Sequence, residues 1–432
     1  MEFREKPYWW DTARLEADAT SMPVPERADV AIIGAGYTGL SAARELARRG
    51  GRAVVLEAET VGWGASSRNG GMVLTGLKIG APELCAKVGR ELTAEMYRAS
   101  MESIDCVERI VREEKMECSF ARCGHLEVAS KPKHYRRFEE WAETITREFG
   151  REVRLVPRKN LQTEIGSQMF FGGLVDEGSA GLNPAQYVAG LAGAAKRAGA
   201  TLCERARVER VERSTESGAA GFRVTTARGS VFAQDVFVAT SGYTGAATPA
   251  LRRRVVPIGS YIIATEPLGE RLGAELVPRG RMIFDSKHFL HYFRLTPDGR
   301  MLFGGRAAFF PETAATIRES AEILRRDMIA VYPKLAGTRV EYAWGGTLDF
   351  TFDMLPHAGE MDGLRFAMGY AGHGVAMATY LGTKMAAVIA GEKSELAFAE
   401  VPFPTAPLGL YNGRPWFLPL ASLWYRFLDL VQ

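Results

Sequence analysis

Cysteine is scarce in this chain and follows no pairing pattern. The five cysteines, Cys85, Cys106, Cys118, Cys123 and Cys203, form no C-x-x-C pair and have no histidine cluster beside them. An odd, scattered set excludes a disulfide framework and gives no metal site; it predicts reduced thiols in a cytoplasmic protein. An excess of one charge is also missing. Lys and Arg total 54 against 51 Asp and Glu, which argues against a dedicated nucleic-acid binder. Long apolar runs are absent at both ends. MEFREKPYWWDTARLEADATS carries acidic residues and no continuous apolar core, so secretion is not expected. WFLPLASLWYRFLDLVQ is broken by Pro419, Arg426 and Asp429 and is too short to span a bilayer. Internal repeats, low-complexity tracts and a Ser-His-Asp constellation are lacking as well.

What is present is a long, ordinary globular composition with one strong opening signal. At 432 residues the chain is too long for one ordinary core, so two domains, or one with a large insertion, are expected. Residues 28–33, ADVAII, read as a strand and run into Gly34-Ala35-Gly36-Tyr37-Thr38-Gly39. LSAARELARRG then has helical spacing and a glycine end, and AVVLE forms a second strand closing at Glu57. Strand, glycine turn, helix and strand place a helix N-terminus under a phosphate. Gly34 permits the turn, Gly36 lets a pyrophosphate approach, and Gly39 lets helix and strand pack closely. Glu57 stands where an acid hydrogen-bonds ribose hydroxyls. The motif predicts dinucleotide binding without separating NAD from FAD.

Further along, residues 83–118 and 131–149 read as helices and GHLEVAS at 124–130 as a strand. GLNPAQYVAGLAGAAKRAGA reads as a helix closed by Gly199, and TLCERARVERVE, FRVTTA and SVFAQDVFVATSG as strands. Residues 249–310 are strand-rich, with a hairpin HFLHYFRLTPDGRMLFGGR turning at Pro-Asp-Gly. A helix over 312–333, a strand over 338–346 and the segment GYAGHG feeding the helix VAMATYLGTKMAAVIAG complete the pattern.

YWWDTA, IIGAGYTGLSAARELARRG, GWGASSRNGG and LYNGRPWFLPLASLWYRFLDL together resemble the FAD-dependent amine and amino-acid oxidases of the D-amino-acid oxidase type, which include glycine and sarcosine oxidases. The likeness is nearest the gamma-glutamylputrescine oxidoreductase branch. It implies an α+β or α/β fold: a Rossmann-like FAD domain of residues 1–90, 178–248 and 345–432, interleaved with a substrate domain of residues 91–177 and 249–344 on an antiparallel sheet. The resemblance also implies a cofactor set. Gly34, Gly36, Tyr37, Thr38 and Gly39 would hold the pyrophosphate, and Glu57 and Ala58 the adenosine ribose. Gly64, Ala65, Ser66, Arg68, Asn69, Gly70 and Gly71 would line the ribityl chain and one flavin edge. Val208 would meet adenine, Thr240, Ser241 and Gly242 would cover the cofactor, and Trp344 and Gly346 would flank it. Gly369, Gly372, His373, Gly374, Val375 and Ala376 would meet the pyrimidine side. A helix beginning near Gly374 carries roughly half a positive charge at its N-terminus and would favour the reduced cofactor.

Some relatives bind flavin through a cysteine in the segment that here reads AWGGTLDFTFD, and others through a histidine in the opening loop. Neither residue is there, so non-covalent FAD is expected. The implied chemistry is transfer of a hydride from a carbon beside nitrogen to flavin, with an amine or amino acid as substrate and O2 as acceptor. A dehydrogenase using another acceptor, an NAD enzyme and a weakly catalytic flavin-binding partner subunit stand as alternatives. In the hairpin, Tyr292 and Arg294 share one face and His291 and Phe293 the other. Tyr292, Arg294, His291 and Arg306 are the substrate-side candidates, against a plain half-exposed strand pair. His288 reads as structural and His357 as a loop residue near the cofactor. Leu302 falls where some relatives carry an oxygen-promoting lysine. The aromatic C-terminal tail is expected to fold back over the FAD domain.

Overall fold

Two runs of apolar strands, each interrupted by segments of the other, build two sheets in the computed structural model, which describes residues 2–13, 22–216, 218–305, 312–393 and 395–419. Arg27–Ile33 and Ala53–Leu56 are buried along nearly their whole length, as central parallel strands must be. They lie in a sheet ordered His357–Met361, Leu364–Met368, Gly229–Val238, Arg27–Ile33, Ala53–Leu56 and Thr201–Cys203. All neighbours are parallel except the first pair, a hairpin. One face is covered by the helices Tyr37–Arg48, Pro184–Ala198 and Gly374–Ile389. The other is covered by an antiparallel meander, Val208–Glu216 and Ala219–Thr226, that pairs back onto Gly229–Val238.

The second sheet runs Val340–Phe350, Val256–Pro267, Arg300–Gly305, His291–Leu295, Met282–Asp285, His125–Val128, Gly172–Asp176 and Arg154–Pro157. Only the contact between Met282–Asp285 and His125–Val128 is parallel. Its rear face buries Phe293 and Phe303, stacked at 5.2 Å, beneath the helix Ala314–Val331. Tyr292 and Arg294 therefore point the opposite way, towards the first sheet.

Several boundaries differ from the sequence pattern for local reasons. The helical stretch at 83–118 breaks at Gly89, whose φ of +83° ends Ala81–Val88 before Arg90–Glu113 begins. That second helix lies in a segment assigned to the substrate domain, yet it buries Met96, Ile104, Val107 and Ile110 in the core of the first sheet. The strand expected at 338–346 runs on to Phe350 because it pairs with Val256–Pro267 along its whole length, so residues 345–350 belong to the second sheet. TLCERARVERVE divides at Glu204, where Glu204 accepts the Val61 N–H and Arg205 takes φ +50°. In the tail, Tyr411 and Leu418 pack with Val256, Phe350 and Ala371, and Tyr411 Oη–H donates to Val255 O. No described helix is long and apolar enough to cross a membrane, and no group of three or more His, Cys, Asp or Glu among the described residues is placed to hold a metal.

Candidate active site

The glycine turn is closed by contacts that leave no room for side chains. A Cβ on Gly39 would lie 2.0 Å from Gly34 O, and one on Gly36 would lie 2.8 Å from Ser66 Oγ. Gly34 has φ +105° and faces Ala239 O, so the turn abuts the segment that continues into Thr240. The helix Tyr37–Arg48 has no cap from Gly36 itself, and its first N–H, that of Tyr37, is taken by Ser66 Oγ from the neighbouring loop. Glu57 accepts from Ala35 N–H at 2.8 Å and Glu59 N–H at 2.9 Å, and burial raises its carboxyl pKa. The chain after Cys203 runs alongside, with Ala206 N–H donating to Glu57 O, and brings Val208 to the same edge as Glu57 and Ala58.

The loop after the second strand is held by tryptophans. Trp10 Nε1–H donates to Ser67 Oγ at 2.8 Å, Trp344 Nε1–H to Arg68 O at 2.8 Å and Trp9 Nε1–H to Asn69 O at 2.9 Å. Three consecutive loop residues are thus each fixed by one indole. Arg68 lies 5.0 Å from the Trp10 ring and 4.6 Å from the Trp63 ring, and it donates to Trp63 O and Gly345 O. Gly346 leaves space for the Arg68 stem. Asn69 closes the loop on itself: its amide donates to Ala65 O and Ser66 O and accepts Gly71 N–H. Ser66 Oγ takes the Tyr37 N–H. Gly64 fits against the Tyr243 ring, and Gly71, at φ +69°, fits against Leu182 O.

A buried carboxylate that the sequence reading missed joins the remaining pieces. Asp349 accepts from Ser241 Oγ–H and Gly369 N–H, and burial raises its pKa despite those donors. Gly242 sits against Leu348 O, and Thr240 shares a hydrogen bond with Thr244. The turn at 240–242 and the second glycine motif are therefore pinned to the same strand end. The signal was an acid alternating with apolar residues in TLDFTFD. Gly369 and Gly372 take φ +91° and +93°, and His373 leads into Gly374–Ile389 with no side-chain cap. His373 Nδ1 is buried without a hydrogen-bond partner, and burial drives its pKa down to about 3, so the ring is neutral. Val375 and Ala376 are buried in the first turn of that helix.

The loop and the second glycine motif open on one cavity of about 430 Å³, lined by Ala65, Arg68, Asn69 and Gly70 from the loop and Gly372, His373 and Val375 from the helix start. The second sheet forms the opposite wall. Ile262, Gly304, Tyr292, Phe284 and Glu127 lie abreast on five adjacent strands, each paired directly with the next. Directly paired residues share a face. The Tyr292 ring leans across Gly304 and reaches Gly70, while its hydroxyl bonds Ser260 Oγ at 3.0 Å and burial pushes its pKa up to about 12. Trp9 and Trp10 in YWWDTA, Asp349 and Glu127 are the site-building residues that sequence reasoning did not single out.

The other substrate-side candidates fall elsewhere. Arg294 lies on the expected face, but its guanidinium is spent on Gly71 O, Leu182 O and Leu295 O, so it clamps the loop and does not offer a free cation for a carboxylate. His291 lies on the rear face with both ring nitrogens taken, Nδ1 by Asp285 and Nε2 by Asp327, each at 3.1 Å. That pairing outweighs burial and raises its pKa to about 9, leaving it a charged structural clamp and not a catalytic group. His357 is a buried strand residue stacked on Phe403 and bonded to Asp353, away from the cavity. Arg306 lies outside the described residues. Leu302 is fully buried and sits beside Gly70.

Comparison with known proteins matches residues 29–388 to the family described as FAD dependent oxidoreductase. The chain is 31% identical over 434 residues to a probable oxidoreductase OrdL of Haemophilus influenzae, covering 98% of this chain and 97% of that protein. It is 30% identical over 405 residues to the gamma-glutamylputrescine oxidoreductase of Escherichia coli, covering 93% and 92%. Among solved structures, glycine oxidase from Geobacillus kaustophilus superposes with a TM-score of 0.74 at 21% identity, covering 89% of this chain and 99% of that one. L-proline dehydrogenase from P. horikoshii superposes at 0.69 with 20% identity, covering 92% and 99%.

Proposed function

The chain belongs to the FAD dependent oxidoreductase family, and from that premise we propose that it oxidises the C–N bond of an amine or amino acid, with gamma-glutamylputrescine or a related N-substituted amine as the substrate class. The observation that carries this reading is the convergence of the loop at 65–70, the start of the helix Gly374–Ile389 and Tyr292 on a single cavity. The residues fit FAD: Gly36 brings the turn so close to Ser66 that a Cβ would not fit, Glu57 faces the turn, and His373 Nδ1 is a buried polar atom in want of a partner. Bound FAD supplies the acceptor for a hydride equivalent. The cavity wall does the rest. Ile262, Phe284, Leu290 and Phe350 surround the entering amine with apolar surface, which favours its neutral, reactive form. Tyr292, fixed by Ser260 and by the close fit to Gly304, orients the substrate against the loop. The substrate carbon loses a hydride, its nitrogen loses a proton, and the resulting imine takes up water to release carbonyl compound and amine.

We further propose that FAD is held non-covalently, because the segment AWGGTLDFTFD holds no cysteine and the loop GWGASSRNGG no histidine. Yellow colour staying with acid-precipitated protein would overturn this. A cytoplasmic setting is consistent with five unpaired thiols. For the acceptor, O2 is the first reading. An acceptor other than O2 is the second, favoured by the buried apolar Leu302 beside Gly70, where a cation would assist oxygen. The decisive experiment is anaerobic bleaching of the flavin by a panel of polyamine derivatives, N-methyl amino acids and D-amino acids, followed by mixing with aerated buffer. Bleaching by an amine supports the reaction; no bleaching by any member refutes it. The rate of recovery in air separates the two acceptors.

A further inference from the structure

The polar groups of the substrate wall are almost all accounted for by neighbours. His125 is bonded to Ser179, His134 to Ser286, Tyr292 to Ser260, and Asp285 to His291. Glu127 is different. It lines the cavity from the middle of His125–Val128, and its carboxylate makes no hydrogen bond or ion pair with any described residue. It is half-buried, on a strand whose other side chains are buried. Desolvation of this kind is costly for a carboxylate that has no partner.

Its place relative to Tyr292 is set by register. Tyr292 pairs with Phe284, and Phe284 pairs with Glu127, so the two polar residues lie on one face, separated by two strand spacings, about 9.5 Å, with an aromatic ring between them. Tyr292 marks the end of the cavity against Gly70 and the cofactor loop. Glu127 lines the same cavity two strands away. A polar residue, an apolar spacer and a carboxyl group without a hydrogen-bond partner lie in one row across the sheet.

We propose that Glu127 binds a second, distal ammonium of the substrate, so that the enzyme selects extended amines with two cationic nitrogens over monoamines of the same length. This rests on the amine-oxidation reading and deepens it. The electrostatics agree: burial raises the Glu127 pKa to about 7, with Asp285 adding to the rise and Lys78 opposing it. A cation brought to that carboxylate would restore its ionised form. The charged and titratable groups around it are Lys78 from the loop, Asp285 from the neighbouring strand and Tyr97 from Arg90–Glu113, with His125, His134, Arg137, Lys287 and His373 lining the same cavity.

The test uses FAD-loaded enzyme, a series of α,ω-diamines and the matching n-alkyl monoamines. Binding is measured anaerobically by calorimetry, and flavin reduction by rapid mixing. Diamines spanning about 9.5 Å should bind roughly tenfold or more tighter than their monoamine partners, as expected of a charge-assisted hydrogen bond. In E127Q that ratio should fall by about the same factor, appearing in KM and not in kcat. On unaltered enzyme the diamine should bind more tightly as pH rises through about 7, because only the ionised carboxylate holds the cation; this arm needs no variant. Equal diamine-to-monoamine ratios in the wild type and E127Q, or a pH-independent ratio, would overturn the proposal. If diamines bind with the expected preference yet no amine reduces the flavin, the cation site stands and the amine-oxidation reading falls.

Discussion

The clamp behind the substrate wall gives a prediction whose size follows from the structure. His291 stands between Asp285 on its neighbouring strand and Asp327 on the helix Ala314–Val331, 3.1 Å from each, with its side chain 14% exposed. Its pKa rises from 6.5 to about 9 in the folded chain. At about 1.4 kcal/mol per tenfold, the charged ring stabilises the fold by roughly 3 kcal/mol as an upper figure. The histidine's folded pKa is the raised one, so this contribution is fully present below about pH 6.5 and is lost as pH climbs through about 9. Urea unfolding followed by tryptophan emission at several pH values between 6 and 10 should therefore show the wild type losing up to about 3 kcal/mol across that window. His291→Asn should start lower and show a flatter profile over the same range. Parallel profiles in the two proteins would refute the clamp as an ionised pair. Since Tyr292 is the next residue, the variant should also shift KM while leaving bound FAD in place at pH 6.

Other substitutions probe the cofactor side. Gly36→Ala places a methyl group 2.8 Å from Ser66 Oγ, forcing the turn and the loop apart, and should weaken FAD retention about tenfold or more, measured by dialysis and flavin absorbance; unchanged retention would show that the turn is not the binding surface. Asp349→Ala leaves the Ser241 hydroxyl and the Gly369 N–H without their acceptor and should cost about 3 kcal/mol in urea unfolding. Asp349→Asn should recover part of that loss. Trp344→Phe removes the donor to Arg68 O; about 1 kcal/mol of cofactor affinity should go with it, read by fluorescence titration of apoprotein with FAD.

What could be read from the sequence was local, and what could not was long-range. The strand, glycine turn and helix at 28–48 were legible because they are contiguous in the chain, whereas the approach of Gly34 to Ala239 and of Gly36 to Ser66 was not. The face carried by Tyr292 was legible because strands alternate, and it holds. The partners of Arg294 were not, because Gly71 and Leu182 are 223 and 112 residues away. A guanidinium facing a pocket and one facing two carbonyls look alike in a sequence. Glu127 stayed hidden for a related reason: its alignment with Tyr292 depends on the one parallel junction in an otherwise antiparallel sheet. Helix Arg90–Glu113 shows the same limit for domain partition, since its apolar stripe predicts burial without saying against which core.

The three indoles around residues 67–69 set a constraint on the order of events during synthesis. Trp9 and Trp10 precede the loop they grip, but Trp344 emerges some 275 residues after it. At roughly 5–20 residues per second the interval is on the order of tens of seconds. For that time the loop lacks one of its three indole contacts. On the proposed reading, in which this loop seats the flavin, tight cofactor capture is a late event, and a chain truncated before residue 344 would be born without it.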